Sequence, residues 1–285
     1  MRQIHINLDC YSTEPENLKP AKRNRKSARH AEFAARLEMC ISKCLGEELM
    51  IAVQLGDLKR TLSLLERGAN TTIKNDAGWG CLTWAAINGH SEVAKALLDH
   101  GMSANDKDKS GWPTHLWAVM YGKSDVLKLL LDRGADFYYQ DKDGWTLLSY
   151  AARHGHVEVG RNLIEWGAKI NQDDSYGWTP LMRAVYYENA EFTKMLIEKG
   201  ADVNRRTSRG QPWLGIDIGW TALMIAARHN KTANIVTILL ANGARPNDEN
   251  AHCKTAANLA NNESIAQVFE NPPPGTRAQR PLTTV

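Results

Sequence analysis

The segment of residues 177–204 begins with Gly177-Trp178-Thr179-Pro180-Leu181-Met182 and ends with Gly200-Ala201-Asp202-Val203-Asn204. Nearly the same sequence recurs several times along the chain. The Gly-Trp pair recurs at a step of 33 residues, at Gly78-Trp79, Gly111-Trp112, Gly144-Trp145 and Gly177-Trp178, and again at Gly219-Trp220. The closing glycine keeps this step at Gly68, Gly101, Gly134, Gly167 and Gly200, with a last copy at Gly243. A fixed period of this length indicates a stacked repeat architecture.

Each copy reads as a turn followed by two short helices. Thr179 is a good N-cap, and Pro180 suits the first helical position because an N–H there has no intrahelical partner. Apolar residues then recur at helical spacing in two groups, Leu181, Ala184 and Val185, followed by Phe192, Met195 and Leu196. Gly200 falls where a left-handed residue commonly ends a helix. Helices of about two to three turns are unstable alone, so their apolar faces must pack against neighbouring copies, as in a solenoid.

Several local motifs are shared with one known family. They are Gly-Trp-Thr-Pro-Leu at 177–181, the loops Asn88-Gly89-His90 and His154-Gly155-His156, the helix ending Leu130-Leu131-Asp132-Arg133-Gly134, and Ala201-Asp202-Val203-Asn204. Over residues 45–270 the chain resembles ankyrin-repeat proteins. The resemblance implies an all-α ankyrin-repeat solenoid, in which helix-turn-helix units are joined by β-turn or hairpin fingers.

The period divides the array into six full repeats and a shorter seventh, at 45–77, 78–110, 111–143, 144–176, 177–218, 219–251 and 252–270. The fifth repeat carries an insertion at residues 205–218. An amphipathic stretch at 30–44 is expected to form an N-terminal capping helix, and the polar seventh repeat a C-terminal cap. The reason is that the ends of a solenoid need a polar outer face.

The composition describes a protein with a substantial core and no membrane span. Apolar residues make up 43% of the 285, yet no segment reaches the roughly 20 apolar residues of a transmembrane helix, and no signal peptide is visible. Five scattered cysteines favour a reducing compartment, so we expect a cytoplasmic protein, with the nucleus as a second location. The net charge of +3 is uneven, because residues 1–44 are net +4 and residues 45–270 net −3. The negative array disfavours nucleic acid as a partner of the solenoid.

Both tails carry short motifs outside the repeats. Residues 1–29 are expected to be a disordered basic segment, in which Lys22, Arg23, Arg25 and Lys26 are typical of a nuclear-import signal. The alternative is a solvated flank, since short basic runs are common. Residues 271–285 are expected to be a disordered tail that begins with a proline run. If Val285 ends the protein, Thr283 and Val285 resemble a class I PDZ ligand, although so short a pattern also arises by chance.

No motif for catalysis or cofactor binding is visible. The chain lacks a phosphate-cradling Gly-rich loop, a nucleophile elbow, a His-Glu-x-x-His zinc motif and the protein-kinase signatures. Cys40 and Cys44 could share a helical face, but no second Cys or His pair follows at zinc-finger spacing. His90 and His156 belong to the repeat loops, where we expect structural hydrogen bonds. We therefore predict no catalytic residue, no metal site and no cofactor.

The first candidate partner-binding residues are the tryptophans that follow the turn glycines, Trp79, Trp112, Trp145, Trp178 and Trp220. The resemblance implies that this position lies at the turn edge of the concave surface, where partners bind. Stacking would align the rings in a strip, and Trp is enriched among interface hot spots. The alternative is that the rings pack on neighbouring turns. Trp84 and Trp117, inside the first helices of their repeats, are interpreted as core.

The insertion at 205–218 is the second candidate. Its Arg206, Arg209 and Trp213 combine positive charge with apolar surface on the same side as the tryptophans, which suits a recognition loop. The alternative is a tolerated insertion whose apolar tip folds back. Asn204 matches the setting in which the resemblance implies hydroxylation of ankyrin asparagines, and it would then be a substrate position.

Together these observations predict a non-enzymatic scaffold or adaptor that binds another protein through the concave, turn-side surface of the array. Two alternatives stay open. One is a nuclear or transcriptional regulator that uses the basic N-terminal segment. The other is a targeting subunit of an enzyme complex, such as a phosphatase or a ubiquitin ligase.

Overall fold

The computed structural model describes residues 43–211 and 214–273. Within these residues the chain forms thirteen α-helices and no sheet, which confirms the predicted all-α solenoid. The helices are α1 (43–55), α2 (Leu58–Glu66), α3 (Cys81–Asn88), α4 (Ser91–Asp99), α5 (Thr114–Met120), α6 (Ser124–Asp132), α7 (Leu147–His154), α8 (Val157–Glu165), α9 (Pro180–Tyr186), α10 (Ala190–Glu198), α11 (Ala222–His229), α12 (Asn234–Ala241) and α13 (Glu263–Glu270). A 3₁₀ turn at Ala257–Leu259 lies between α12 and α13.

The helices stack in two layers along the chain. The inner helices are α3, α5, α7, α9 and α11, each of which packs against the next. The outer helices α2, α4, α6, α8, α10 and α12 do the same. Each inner helix also packs against the outer helix that follows it. The contacts therefore lie within a repeat or between neighbouring repeats, as a solenoid requires.

Both apolar groups predicted in the fifth repeat lie in the core between these layers. Leu181, Ala184 and Val185 of α9 are at most 1% exposed, and Phe192, Met195 and Leu196 of α10 are at most 2% exposed. The core also depends on one glycine inside a helix. A Cβ added at Gly160 of α8 would overlap the ring of the fully buried Phe192, so the missing side chain lets the two outer helices approach closely.

The start and stop signals of the repeat act as the sequence indicates. Thr146, Thr179 and Thr221 are N-caps of inner helices, and the Thr179 hydroxyl accepts the backbone N–H of Met182 at 3.3 Å. Pro180 occupies the first helical turn of α9. Gly200 has a φ of +93°, and its N–H donates to the carbonyl of Ile197 at the end of α10.

The fingers between helix pairs are tight turns. Isolated antiparallel bridges pair Lys107 with Pro113 and Gln140 with Thr146, without longer strands in the part of the chain that the structure describes. Of the expected capping helix, residues 30–42 lie outside the described residues, and α1 is described from residue 43. Among residues 43–211 and 214–273, no helix is long and apolar enough to cross a membrane.

Candidate partner-binding surface

One polar side chain in each finger holds the backbone that carries the turn tryptophan. It recurs as Asn75, Asp108, Asp141 and Asp174. The Asp141 carboxylate, for example, accepts the backbone N–H of Asp143 at 2.9 Å and that of Trp145 at 2.8 Å. In the sixth repeat the Thr207 hydroxyl accepts the N–H of Trp220 at 3.0 Å. The finger therefore fixes the backbone position of each turn tryptophan, independently of what its ring contacts.

The second carboxylate oxygen of these aspartates accepts from the residue five positions after the tryptophan. Asp108 accepts the Trp117 Nε1–H at 3.1 Å, and Asp141 accepts the Tyr150 hydroxyl at 2.7 Å. Burial and this bond raise the pKa of the Tyr150 hydroxyl. The finger that precedes Trp79 has an asparagine, Asn75, in place of the aspartate, and the Nε1–H of Trp84 has no partner among the described residues. In the middle repeats, a finger aspartate is therefore paired with a hydrogen-bond donor five positions after the turn tryptophan.

In the fifth repeat this donor is Arg183, which is buried. Its guanidinium forms an ion pair with Asp174, and both side chains are at most 3% exposed. The same guanidinium lies 4.0 Å from the Trp145 ring centroid and 4.3 Å from that of Trp178, so it is sandwiched between two turn tryptophans. Burial lowers the pKa of Arg183, while the charge of Asp174 opposes this shift. Arg183 therefore supports the core at this position.

The five turn tryptophans do not form one exposed strip. Trp79, Trp112 and Trp145 are partly buried, whereas Trp178 is 0% and Trp220 only 2% exposed. The Trp178 ring is covered by Arg183 and by Tyr186, whose ring centroid lies 5.5 Å away. Trp178 and Trp220 were expected to lie on an accessible strip, but both lie in the core.

A different set of rings makes the surface continuous. Trp79 lies between Trp84 and Trp117, with ring centroids at 5.2 and 4.7 Å. The series goes on from Trp117 to Trp112 at 5.4 Å, then to Tyr150 at 6.4 Å, and from Tyr150 to Trp145 at 5.2 Å. We call these rings, with the exposed Tyr121 and Tyr187, the aromatic surface: Trp79, Trp84, Trp112, Trp117, Tyr121, Trp145, Tyr150 and Tyr187.

Sequence reasoning missed part of this surface. The core interpretation is confirmed for Trp117, which is 8% exposed and packs on two of the turn tryptophans, whereas Trp84 is only partly buried. Tyr121, Tyr150 and Tyr187 were not singled out. The signal was present as a period, because aromatic residues recur five and nine positions after the turn tryptophans on the inner helices.

An open cavity of about 780 Å³ lies beside the aromatic surface. Its wall contains Trp112, Trp145, Tyr150, Tyr186 and Tyr187, the charged residues Asp141, Lys142, Asp143, Arg153 and Arg183, and Gln211 and Leu214 of the insertion. Arg153 is exposed, and its guanidinium lies 5.7 Å from the Trp145 ring centroid and 5.2 Å from that of Tyr187. Concave surfaces on which aromatic side chains and oriented polar groups converge are common binding sites.

The insertion contributes to this wall and is anchored to the sixth repeat. Arg206 forms an ion pair with Asp248 at 3.3 Å and donates to the carbonyl of Glu249 at 2.9 Å. Gln211 pairs with Ile216, which is 0% exposed. The apolar part near Ile216 therefore folds back, as the second interpretation of this loop required. Arg209 is exposed, and Trp213 lies outside the described residues.

Asn204 joins two neighbouring repeats. Its amide donates to the carbonyl of Gly243 at 3.0 Å and accepts the N–H of Arg245 at 2.9 Å. Asn105 makes the same pair of bonds to Gly134 and Asp136. These two hydrogen bonds give the asparagine at residue 204 a structural role. Hydroxylation of Asn204 stays a prediction.

Tyr138 stands where these asparagines stand in other repeats, four residues after the closing glycine. Its side chain is 77% exposed. A cavity of about 300 Å³, lined by Phe137, Tyr138, Tyr139 and Leu163 among others, opens beside it. The hydrogen bonds that the asparagine makes to the next loop in other repeats are thus replaced here by an open space.

The remaining candidates divide between structural roles and residues outside the described part. The Nε2–H of His156 donates to the carbonyl of Met120 at 2.8 Å, and that of His90 to the carbonyl of Gln54 at 3.2 Å, so both are structural as predicted. Among the described residues no group of His, Cys, Asp and Glu could hold a metal ion. The import-signal and PDZ-ligand residues lie outside the described ranges, as does Cys40; they are Lys22, Arg23, Arg25, Lys26, Thr283 and Val285.

The stacked helix pairs and finger turns define a class of protein, the ankyrin-type α-solenoid. A family model for ankyrin repeats in three copies matches residues 49–141 and 116–207, and one for the single ankyrin repeat matches residues 218–251. The chain belongs to the ankyrin-repeat family.

Solved ankyrin structures resemble most of the chain. The ankyrin repeat domain of human ASB11 is 26% identical with a TM-score of 0.66, and the match covers 78% of this chain and 96% of that one. The ankyrin repeat domain of Bcl-3, described as a unique member of the IkappaB protein family, is 26% identical with a TM-score of 0.62, covering 78% and 97%. No curated protein sequence matches the chain.

Proposed function

We propose that this chain is a non-enzymatic scaffold or adaptor whose protein partner binds the aromatic surface. Ankyrin repeats are a protein-interaction module, which supports a binding role in general. The observation that carries the specific proposal is an unbroken series of aromatic rings beside a 780 Å³ cavity. Trp79, Trp84, Trp112 and Trp145 are the partly open rings of this series, and the buried rings of Trp117 and Tyr150 support them from below. Aromatic residues are enriched at interface cores because they bury large areas at a small entropic cost.

The proposal is tested with two exposed rings at the edges of this surface. Tyr121 is 45% and Tyr187 36% exposed, so Tyr121→Ser with Tyr187→Ser removes contact area with little cost to the fold. The matched control is Tyr138→Ser, because Tyr138 is 77% exposed and lies in the loop between α6 and α7.

Proteins captured by the wild-type chain are identified by mass spectrometry, produced in pure form and titrated against each variant. We expect the double variant to weaken binding at least about tenfold, since hot-spot aromatics contribute about 2 kcal/mol or more. Tyr138→Ser is expected to bind as the wild type does. Equal binding by all three chains, after circular dichroism shows that they fold, would move the interface away from the aromatic surface.

The other roles predicted from the sequence stay proposals of lower rank. Nuclear import through residues 22–26, capture of a PDZ domain by Thr283 and Val285, and recruitment to an enzyme complex concern segments or partners beyond the described surface. A fluorescent fusion with Lys22→Ala, Arg23→Ala, Arg25→Ala and Lys26→Ala tests the first of these. Unchanged nuclear entry would remove it.

A further inference from the structure

Acidic residues are segregated between the two helix layers. The inner helices α3, α5, α7, α9 and α11 contain no Asp or Glu. The outer helices α4, α6, α8 and α10 contain two each. In the second to fifth repeats the acidic residues of the helices therefore lie in the outer layer, although outer α12 has none and the fingers carry further aspartates such as Asp108, Asp141 and Asp143.

The inner helices carry arginines instead. Arg183 is buried and paired with Asp174. Arg153 of α7 and Arg228 of α11 are exposed, and within the described ranges neither has a carboxylate at ion-pair distance. Arg153 is stacked against Trp145 and Tyr187, which orients the guanidinium and leaves its edge N–H groups available for an acceptor.

The charges in the cavity wall agree with this picture. Asp141 is occupied, since its oxygens accept two backbone N–H groups and the Tyr150 hydroxyl. Asp143 is the other acidic residue in the wall, and the cations beside it are Lys142, Arg153 and the paired Arg183. Apart from Asp143, the charged side chains of the cavity wall that have no hydrogen-bond or ion-pair partner among the described residues, Lys142 and Arg153, are therefore positive.

We propose that the partner segment bound along the inner helices is acidic, with Asp or Glu side chains that reach Arg153 and apolar side chains that pack on the aromatic surface. This inference rests on the proposed function and names the chemistry of its partner. Charge-assisted, often bidentate bonds between arginine and carboxylate are stronger than neutral ones, and a stacked guanidinium loses little entropy in forming them.

Single-stranded nucleic acid also combines negative charge with planar rings. The observations favour a protein segment, because a long polyanion would also face the acidic outer helices and a net negative array. A short acidic segment can instead place its charge at Arg153 alone.

The test is a selection of random twelve-residue peptides displayed on phage against the folded chain at physiological salt. We expect the enriched pool to be net negative and to contain aromatic or aliphatic residues. One enriched peptide is then titrated by fluorescence anisotropy. We expect Arg153→Glu to weaken its Kd at least about tenfold. The matched control, Arg161→Glu, changes an exposed arginine on outer helix α8 and is expected to stay within about twofold.

Each other outcome overturns the proposal in a distinct way. Enrichment of neutral or basic peptides that lose binding with Tyr121→Ser and Tyr187→Ser would remove the acidic partner but leave the interface in place. Equal losses with Arg153→Glu and Arg161→Glu would show a general charge effect. An oligothymidylate that binds in an Arg153-dependent way, with no peptide enriched, would point to nucleic acid. Failure to enrich any ligand over beads alone would also overturn it, while the proposed function would still be decided by the protein titrations.

Discussion

Repeats two to four and repeats five and six use the same Gly-Trp turn, yet they place its ring in different surroundings. Trp79, Trp112 and Trp145 are partly open to solvent, whereas Trp178 and Trp220 are buried. The turns do not cause the difference, because in all of them the backbone N–H of the tryptophan donates a hydrogen bond to a side-chain oxygen.

The residue five positions further along the inner helix differs as well. The earlier repeats have Trp84, Trp117 and Tyr150 there, and these rings extend the surface sideways. The later repeats have Arg183 and Ile225, and Arg183 covers Trp178 while it pairs with Asp174. A repeated motif therefore fixes the backbone, and its neighbours in space decide whether the side chain binds a partner or supports the core.

The largest expected effect separates the two kinds of tryptophan. Trp178→Ala should lower the free energy of unfolding by about 5 kcal/mol, because it opens a cavity around a fully buried ring. Trp145→Ala should cost about 2 kcal/mol, since its ring is partly exposed. Urea unfolding followed by circular dichroism measures both. Equal costs would mean that the two rings do not differ in burial.

The next effect separates the two aspartates. Asp174→Asn should cost about 3–4 kcal/mol because it leaves Arg183 buried without its counter-charge. Asp141→Asn should cost about 1–2 kcal/mol, since it disturbs one hydrogen bond to a neutral hydroxyl. The same urea titrations give both values. The control is Asp174→Asn combined with Arg183→Met, which removes the buried charge and should recover most of the loss. No recovery would contradict the role given to the ion pair.

A third prediction concerns a buried titratable group without a partner. His115 on α5 is 1% exposed, and neither ring nitrogen has a hydrogen-bond partner among the described residues. Burial lowers its pKa from the ordinary 6.5 to about 4. The unfolded chain therefore binds the proton first as pH falls, so stability is full above pH 6.5 and is lost toward pH 4.

At pH 5 the loss attributable to His115 should be about 2 kcal/mol relative to pH 7.5. His115→Leu should flatten this part of the stability profile, as measured by urea titration at each pH. His100→Gln, an exposed position, serves as the control and should keep the wild-type slope. An unchanged slope in His115→Leu would contradict the assignment.

The smallest expected effect is a gain. Tyr138→Asn should introduce the pair of hydrogen bonds that Asn105 and Asn204 make to the next loop. It should thereby raise the free energy of unfolding by about 1 kcal/mol. Thermal unfolding followed by circular dichroism measures it. Tyr138→Ser lacks the amide and should not gain. If Tyr138→Asn and Tyr138→Ser are both more stable than the wild type, the cause is removal of the exposed ring and not the new hydrogen bonds.

The sequence by itself determined the fold of this protein. A 33-residue period, threonine caps and glycines after the helices are local signals, and each repeat needs only its neighbours to complete its core, so the pattern translates directly into stacked helix pairs. The same locality explains why His90 and His156 were correctly assigned to structural bonds.

Only the tertiary structure decided which side chains are accessible. Trp178 and Trp220 match the motif as well as Trp145 does, yet both are buried. Arg183 and Tyr186 pack on Trp178, and the His229 ring centroid lies 6.2 Å from that of Trp220. Exposure is a property of what packs on a residue from all sides, whereas a sequence period specifies only where its backbone lies. For that reason the solenoid could be read from the chain, and the aromatic surface could not.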